Sequence, residues 1–500
     1  YNFFINDTSM DGAVYCATIG NDDNLGVSAL SPMRSLHALL LKYRPLPGDR
    51  IYVDTGTYSA TNAMIFTTRE SGTVEAPVWI IGSTNRLEGG SVFTGGGLKF
   101  DFRAGSSNIV MRDLVVANVA TAVKLNNAVN LELDGVEVRN ASFRAFDVQG
   151  GSTNIVLNRC VANGGGMGVY LASATNVVIR HGVFRELTGR AIQAGSAVGL
   201  VLENSILTST KAGAALLQFN SMAGIVSDYN DLHVGPDTWV GFVGGAQADN
   251  LSRWQTISGG RDVHSFPGDP QMADPAHFDY HLKTEQTLGR LLPDGTRTSD
   301  LLSSPLLNAG NPATDASSEP EPNGGRVNIG RWGGTEEASM APVVPWIRLA
   351  SFGDAGSVTN NGTYDLIWTA GGFSNETAAV EVSVDGGVSW GTTVATGIPI
   401  TNGMASWTVT GLPDTPAAAW RVVCLDNTNQ AAQTTNYFAI RNTPLNIYVA
   451  LETVDLTKSV YVTAPGAAHN WMATSNAPIN SIQSVFGRFD LEPGDHIWIE

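Results

Sequence analysis

Between residues 108 and 230 one short phrase occurs six times: an Asn or Gly, then an apolar–x–apolar triplet. It reads Asn108-Ile109-Val110-Met111, Asn130-Leu131-Glu132-Leu133, Asn154-Ile155-Val156-Leu157, Asn176-Val177-Val178-Ile179, Gly199-Leu200-Val201-Leu202 and Gly224-Ile225-Val226-Ser227, at intervals of 22, 24, 22, 23 and 25 residues. A second phrase, small–apolar–x–apolar, starts at Ala122, Ala145, Gly168, Ala191 and Ala215, spaced by 23, 23, 23 and 24. Two period-2 phrases locked to one repeat specify short strands, each burying alternate side chains. A single repeat cannot cover its own apolar face, but a stack of repeats can. The expected fold is therefore all-β, a right-handed parallel β-helix with coils about 4.8 Å apart. Leucine-rich repeats of similar length require a Leu and Asn consensus that this chain lacks.

Composition narrows the function classes. The chain has 500 residues, 43% apolar, with 55 Gly for tight turns. Its 29 basic against 46 acidic side chains give a net charge of −17. That acidic balance speaks against nucleic acid as a partner, because phosphate neutralisation needs a basic surface. Disorder is excluded by the ordinary apolar content. No uninterrupted apolar stretch approaches the length of a membrane span. Cys16, Cys160 and Cys424 lie far apart and match no zinc or redox spacing, so each reads as a buried free thiol. The chain opens on Tyr1 with no signal or basic leader. The expectation is a stretch of a longer precursor.

From Pro47 to about Asn230 the sequence resembles the pectin-lyase-like superfamily of β-helices. The phrase Pro47-Gly48-Asp49-Arg50-Ile51-Tyr52-Val53-Asp54-Thr55-Gly56-Thr57-Tyr58 is similar to the one that opens the first coil in many of them. Asp269-Pro270, Asp274-Pro275, Phe278-Asp279-Tyr280-His281-Leu282, Ser304-Pro305-Leu306-Leu307-Asn308-Ala309-Gly310 and Asn328-Ile329-Gly330 resemble the closing segment of secreted bacterial β-helix proteins. The resemblance covers roughly 1–338 and implies a fold far more than a function, since such folds serve lyases, hydrolases, adhesins and tailspikes.

The organisation that follows is a β-helix over 1–340, with an N-terminal cap and a closing segment, then a linker at 341–345 (Ala-Pro-Val-Val-Pro). Alternating runs at 364–368, 379–384, 420–424 and 436–440 predict a β-sandwich over 346–442, resembling immunoglobulin-like or fibronectin-III-like modules. Beyond it, Ser481…Pro493-Gly494-Asp495-His496-Ile497-Trp498-Ile499-Glu500 echoes Ser35…Pro47-Gly48-Asp49-Arg50-Ile51-Tyr52-Val53-Asp54 at an offset of 446. A two-residue slip sets Asn446-Ile447-Tyr448-Val449 on Asn2-Phe3-Phe4-Ile5. Residues 446–500 are thus expected to start a second β-helix unit in a tandem array.

Outward rows along the coils are the natural place for a ligand. The second phrase gives Lys124, Asp147, Tyr170, Gln193 and Leu217; the first gives Arg112, Asp134, Asn158, Arg180 and Glu203. One reading makes them solvated strand residues, with Arg112–Asp134 and Arg180–Glu203 as cross-coil pairs. The other makes a glycan groove, Tyr170 stacking on a sugar while Lys124, Asp147 and Gln193 bond its hydroxyls. The densest ionisable cluster is Arg180-His181-Gly182-Val183-Phe184-Arg185-Glu186, followed by Arg190 and Lys211. Lyases of the superfamily commonly use an Arg or Lys base with carboxylate-held calcium, which makes Arg180, Arg190 or Lys211 a candidate base and His181 a candidate acid. No clustered Asp/Glu site lies on adjacent coils and no lyase motif matches residue by residue, so a structural role for the cluster is favoured. The carboxylates Glu132, Asp134 and Asp147 sit singly, without the pairing a glycosidase needs.

Three further motifs have structural readings. Asn21-Asp22-Asp23-Asn24 is oxygen-rich, a conceivable calcium loop without EF-hand spacing. His264, His277 and His281 accompany Asp262, Asp274 and Asp279 in the closing segment, where capping is favoured over metal binding. Ser383-Val384-Asp385-Gly386-Gly387-Val388-Ser389-Trp390 resembles the Asp-box of sialidases, but a single Asp-Gly-Gly also makes a hairpin turn with Trp390 returning to the core.

Together these features predict an extracellular or cell-surface bacterial repeat protein, a structural or adhesive rod that contacts a polysaccharide or cell-surface glycan. Lateral or end-to-end self-association fits the same reading. No metal site and no cofactor are expected, calcium being the one candidate. The alternative is a polysaccharide lyase or glycoside hydrolase with an accessory sandwich.

Overall fold

The computed structural model describes residues 1–500 except 343–344, 353–355, 374, 442–443, 468–469, 471–472, 487–490 and 492–493, with the side chains of 196–198 also left aside. The middle of the 341–345 linker and Pro493 lie outside the described residues. Contacts divide the chain into two compact units: Tyr1–Asp249 with Ile257–Asp262 and Pro270–Ala341, and Asn250–Thr256 with Val263–Asp269 and Pro342–Glu500.

The first unit is a parallel β-helix whose strands stack into three ladders. The first ladder runs from Asn2–Ile5 through Arg50–Val53, Val78–Ile81, Ser107–Arg112, Val129–Asp134 and Thr153–Asn158, then 177–180, 200–203 and Ile225–Asp228. The second starts at Gly56–Ser59 and passes through Ser91–Thr94, Leu114–Ala117, 137–139, 161–163, Val183–Arg185 and Ile206–Ser209 to Asp231–Val234. The third starts at Met64–Phe66 and passes through Leu98–Arg103, Thr121–Asn126, 144–149, 167–172, 190–194 and Ala215–Phe219 to Trp239–Val243. The short strand Ala246–Ala248 closes it by antiparallel pairing.

The register explains the repeats. Ile109, Leu131, Ile155, Val177, Leu200 and Ile225 stand on one another and are all buried. Phe100, Val123, Phe146, Val169, Ile192 and Leu217 do the same in the third ladder. The second phrase, however, slips by one residue at its last step. Ile192 pairs with Leu217 and Gln193 with Gln218, so Leu217 faces the core and Gln218 takes its place in the outward row. The turn before Ala215 is one residue longer than spacing alone suggested, and a one-residue shift swaps faces.

Asn at the head of each first phrase has a geometric cause. Asn108, Asn130, Asn154 and Asn176 all hold positive φ, between 52° and 55°, where Asn is tolerated. Their amides bond coil to coil: Asn130 Nδ2 donates to Asn108 Oδ1 at 3.1 Å, Asn154 to Asn130 at 2.8 Å and Asn176 to Asn154 at 3.2 Å. Near the first coil, Leu36–Lys42 forms a helix capped by Ser35, whose Oγ accepts from Ala38 N at 3.1 Å.

The segment Pro270–Ala341 does not simply cap the far end; it runs back along the side of the solenoid. Gly330 N donates to Asn204 O, Arg331 Nη2 to Gly135 O, and the Arg86 guanidinium pairs with Glu337. It thus lies over the turns that join the first ladder to the second. Those turns again hold positive φ at Asp113, Gly135, Arg159, His181 and Asn204.

In the second unit, Trp346–Leu349, Thr363–Gly371 and Met404–Thr408 form one antiparallel sheet. Ser357–Val358, Phe438–Ile440, Thr415–Cys424, Thr377–Ser383 and Thr392–Pro399 form another. Trp368, Trp407 and Trp420 fill the core between them. Of the four alternating runs read from sequence, 364–368 and 420–424 fall within these strands, while 379–384 and 436–440 overlap strands that end at Ser383 and start at Phe438. The Asp-box is a hairpin turn: Asp385 accepts from Ser383 Oγ at 2.6 Å, Ser389 N at 2.9 Å and Ser389 Oγ at 2.6 Å. Trp390 does not return to the core as expected. It stays half-buried under the Arg421 guanidinium, 4.4 Å from its ring centre. All three cysteines are buried free thiols.

Residues 446–500 form a separate small core around Ile447, Val449, Ile479 and Val485. Asn446–Val449 pairs in parallel with His496–Ile499, as Asn2–Ile5 pairs with Arg50–Val53.

Candidate functional site

The row Lys124, Asp147, Tyr170 and Gln193 is a true ladder, each residue the lateral neighbour of the next. Its polar groups are partly committed to one another. Arg144 Nη1 donates to Asp147 Oδ1 at 2.9 Å, and the Arg144 guanidinium lies 3.6 Å from the Tyr170 ring centre. Burial raises the Asp147 carboxyl above its ordinary value, against the pull of Arg144 and Lys124. Further along, Arg190 Nε donates to Gln218 at 2.7 Å and its guanidinium sits 5.1 Å from the Phe242 ring centre. The face therefore alternates aromatic rings with guanidinium groups, the exposed Phe143 ring lying beside it with the Arg144 guanidinium 4.4 Å from its centre.

The cluster Arg180, His181, Arg190 and Lys211 does not converge. Arg180 belongs to the first ladder and donates to Asn158 Oδ1 at 3.2 Å, rather than pairing with Glu203. Glu203 instead accepts from Asn311 of the closing segment at 3.0 Å. His181 is buried beneath that segment, Nδ1 3.3 Å from Gly330 O, and burial pushes its pKa down to about 4. Arg190 stands on the third ladder, and Lys211 reaches Glu186 at 3.6 Å. Of the expected charge pairs, Arg112–Asp134 forms at 3.1 Å. Asp134 also takes two bonds from Arg159, at 2.8 and 2.6 Å.

The oxygen-rich loop at 21–24 is tied inward: Asp22 Oδ1 accepts from Arg34 N at 3.0 Å and Ser35 N at 2.9 Å. Among the described residues no group of three or more His, Cys, Asp and Glu is arranged to hold a metal ion. The closing-segment His and Asp residues separate into local pairs, His277–Asp274 at 2.8 Å and His281–Asp279 at 2.6 Å. Asp262 accepts from Ser227 and Asn230 at the end of the solenoid.

Sequence reasoning missed a cavity of about 470 Å³ where the closing segment meets the second ladder. Asp113, Glu137 and Arg139 come from the coils; Phe278, His281 and Trp332 come from the closing segment, and Arg86 from the loop after Val78–Ile81. Glu137 is fully engaged, accepting from Arg331 Nη1 at 2.6 Å, Arg139 Nε at 2.7 Å and Tyr280 Oη at 3.2 Å. Despite burial, the Arg331 and Arg139 guanidinium groups hold its carboxyl below the ordinary range. Asp113 behaves oppositely: burial raises it, although Arg159 and Arg331 pull the other way. Gly135 makes room for it, since a Cβ there would fall 2.5 Å from Asp113 Oδ1. These residues are spread over more than two hundred positions, and no motif spacing joins them.

Residues 78–247 match the family model described as a right-handed β-helix region. No curated protein matches the chain. No solved structure matches it either.

Proposed function

We propose that this chain is a section of an extracellular tandem-repeat protein, in which β-helix units joined by sandwich modules serve a structural or adhesive role. The observation that carries this reading is the recurrence, in residues 446–500, of the hydrogen bonds that organise residues 1–54. Met33 N donates to Phe4 O at 3.0 Å, and Ile479 N to Tyr448 O at 3.0 Å. Asp54 clamps Val14 N and Tyr15 N, and Glu500 clamps Val460 N and Tyr461 N. Asn24 Nδ2 donates to Pro32 O at 2.8 Å, and Asn470 Nδ2 to Pro478 O at 2.9 Å. A repeated folding unit multiplies a surface without needing new chemistry, which is how solenoids gain extended contact faces.

The contact face we assign is the third ladder, with Lys124, Asp147, Tyr170 and Gln193 along a bound glycan. Its alternation of rings and guanidinium groups suits stacking on sugar rings and bonding to hydroxyls. The test is retention of fluorescent polysaccharides on immobilised protein, with new reducing ends followed in parallel. Retention that falls about tenfold in Tyr170→Ala is expected, consistent with the loss of one aromatic anchor. Release of reducing ends or unsaturated products would favour the hydrolase or lyase reading instead.

A further inference from the structure

The cavity between the second ladder and the closing segment has the composition of a small-ligand site. Its volume of about 470 Å³ lies within the range of such sites. Leu87, Leu291, Leu292 and Pro293 give it apolar walls, and Phe278 stands among the lining residues with 39% of its surface exposed. Phe278 has φ of 69°, an arrangement uncommon for a bulky side chain, in the turn that ends Pro275–His277. The Arg139 guanidinium lies 3.7 Å from its ring centre.

The charges of the cavity are compensated in pairs. Arg331 and Arg139 meet Glu137, Arg86 meets Glu337, and Asp279 is held by His281 and Arg290. Asp113 is the exception: among the described residues no hydrogen bond or ion pair reaches its carboxyl, which burial raises above its ordinary value against the pull of Arg159 and Arg331. Its oxygens are therefore uncommitted and can accept from a ligand hydroxyl. A strongly charged ligand would have to break an existing pair, whereas an uncharged hydroxyl-bearing ring offers an apolar face to Phe278 and a polar edge to Asp113 and Arg139.

We infer that this cavity binds one uncharged sugar ring, stacked on Phe278 and hydrogen-bonded by Asp113 and Arg139. The site is separate from the third ladder and does not rest on glycan contact there. It has no counterpart in the outward rows because half of its wall comes from the closing segment.

The test is saturation-transfer NMR on the full chain with methyl glucoside, methyl galactoside, N-acetylglucosamine and galacturonate as probes. At least one neutral sugar is expected to show transfer, with affinity falling about tenfold in Phe278→Ala through lost stacking. Asp113→Gly supplies a second variant that the fold accommodates, because Gly135 already occupies the equivalent turn one coil further on. It should also weaken the neutral sugar, and both losses should persist in the Tyr170→Ala background, where the third-ladder row no longer holds its aromatic anchor. Absence of transfer from every neutral sugar, transfer from galacturonate alone, or a signal indifferent to both Phe278→Ala and Asp113→Gly would overturn the proposal.

Discussion

The coils and the closing segment that lies on them belong to one unit but are held by opposite means. Inside the coils, Ile109, Leu131, Ile155, Val177 and Leu200 stack in register, and the same apolar contact repeats every turn. Over the turns, Pro270–Ala341 is fixed by polar contacts that occur once in the unit, Glu137 with Arg331 and Asn204 with Asn311, and is braced within itself by Asp300 with Arg290 and Glu319 with two backbone amides. Stacked apolar contacts are redundant, because a lost side chain leaves its neighbours above and below. A buried ion pair is not, since removing one member strands the other charge.

The largest expected effect is therefore on the closing segment. Arg331→Ala leaves Glu137 with Arg139 and Tyr280 alone, and should destabilise the first unit by about 3–5 kcal/mol in chemical denaturation. Replacing both partners by Met should cost less than that single change. A loss under about 1 kcal/mol would show that the segment is held by its apolar contacts after all. Next comes Leu157→Ala, in the middle of the first ladder. It should cost about 2–5 kcal/mol by transfer and cavity terms, without loosening the closing segment in hydrogen exchange.

The same contrast decides what could be read from sequence. Alternation and a fixed interval made the first and third ladders legible, because each strand repeats one packing problem. The single slip at Leu217 came from a turn one residue longer, which a pattern of small residues does not register. The closing segment was recognisable as such from its phrases, yet its path was not. Contacts such as Arg331 with Glu137 or His181 with Gly330 occur once and join residues far apart in the chain. His181 looked catalytic inside a basic cluster, and only the segment lying over it makes it a buried, neutral ring. Asp113 gave no signal at all, being a lone carboxylate in a turn where the neighbouring coils carry Gly135 and Arg159.

Two groups at this seam titrate in opposite senses and sharpen the contrast further. Burial raises Glu319 to about 7, although Asn328 N and Gly334 N both donate to it, at 2.8 and 2.7 Å. The folded state thus holds this proton more tightly than the unfolded chain. The stability it contributes is full below about pH 4.5 and is lost as pH rises through about 7. His181, lowered to about 4, contributes stability present above about pH 6.5 and lost as pH falls through about 4. Glu319→Gln should remove the loss on the alkaline side and leave the acid loss in place, an effect of about 3 kcal/mol in pH-resolved denaturation. A pH profile identical to that of the unmodified chain would mean that Glu319 carries no proton in this range.

The smallest effect concerns the coils, where polar bonding also repeats. Asn154 lies midway in the Asn stack, donating to Asn130 and accepting from Asn176. Asn154→Gly keeps the positive φ free of strain and removes only those two bonds, so the expected cost is about 1 kcal/mol. Asn154→Ala adds the cost of a left-handed alanine and should lose more. The order of these two variants separates backbone conformation from side-chain bonding. If Gly and Ala cost the same, the left-handed turn is not what the Asn stack maintains, and its hydrogen bonds carry the whole contribution. If Gly is nearly neutral, the turn itself is the constraint, which is the situation already realised at Gly199, where the next coil of the ladder uses Gly at φ of 75° in place of Asn.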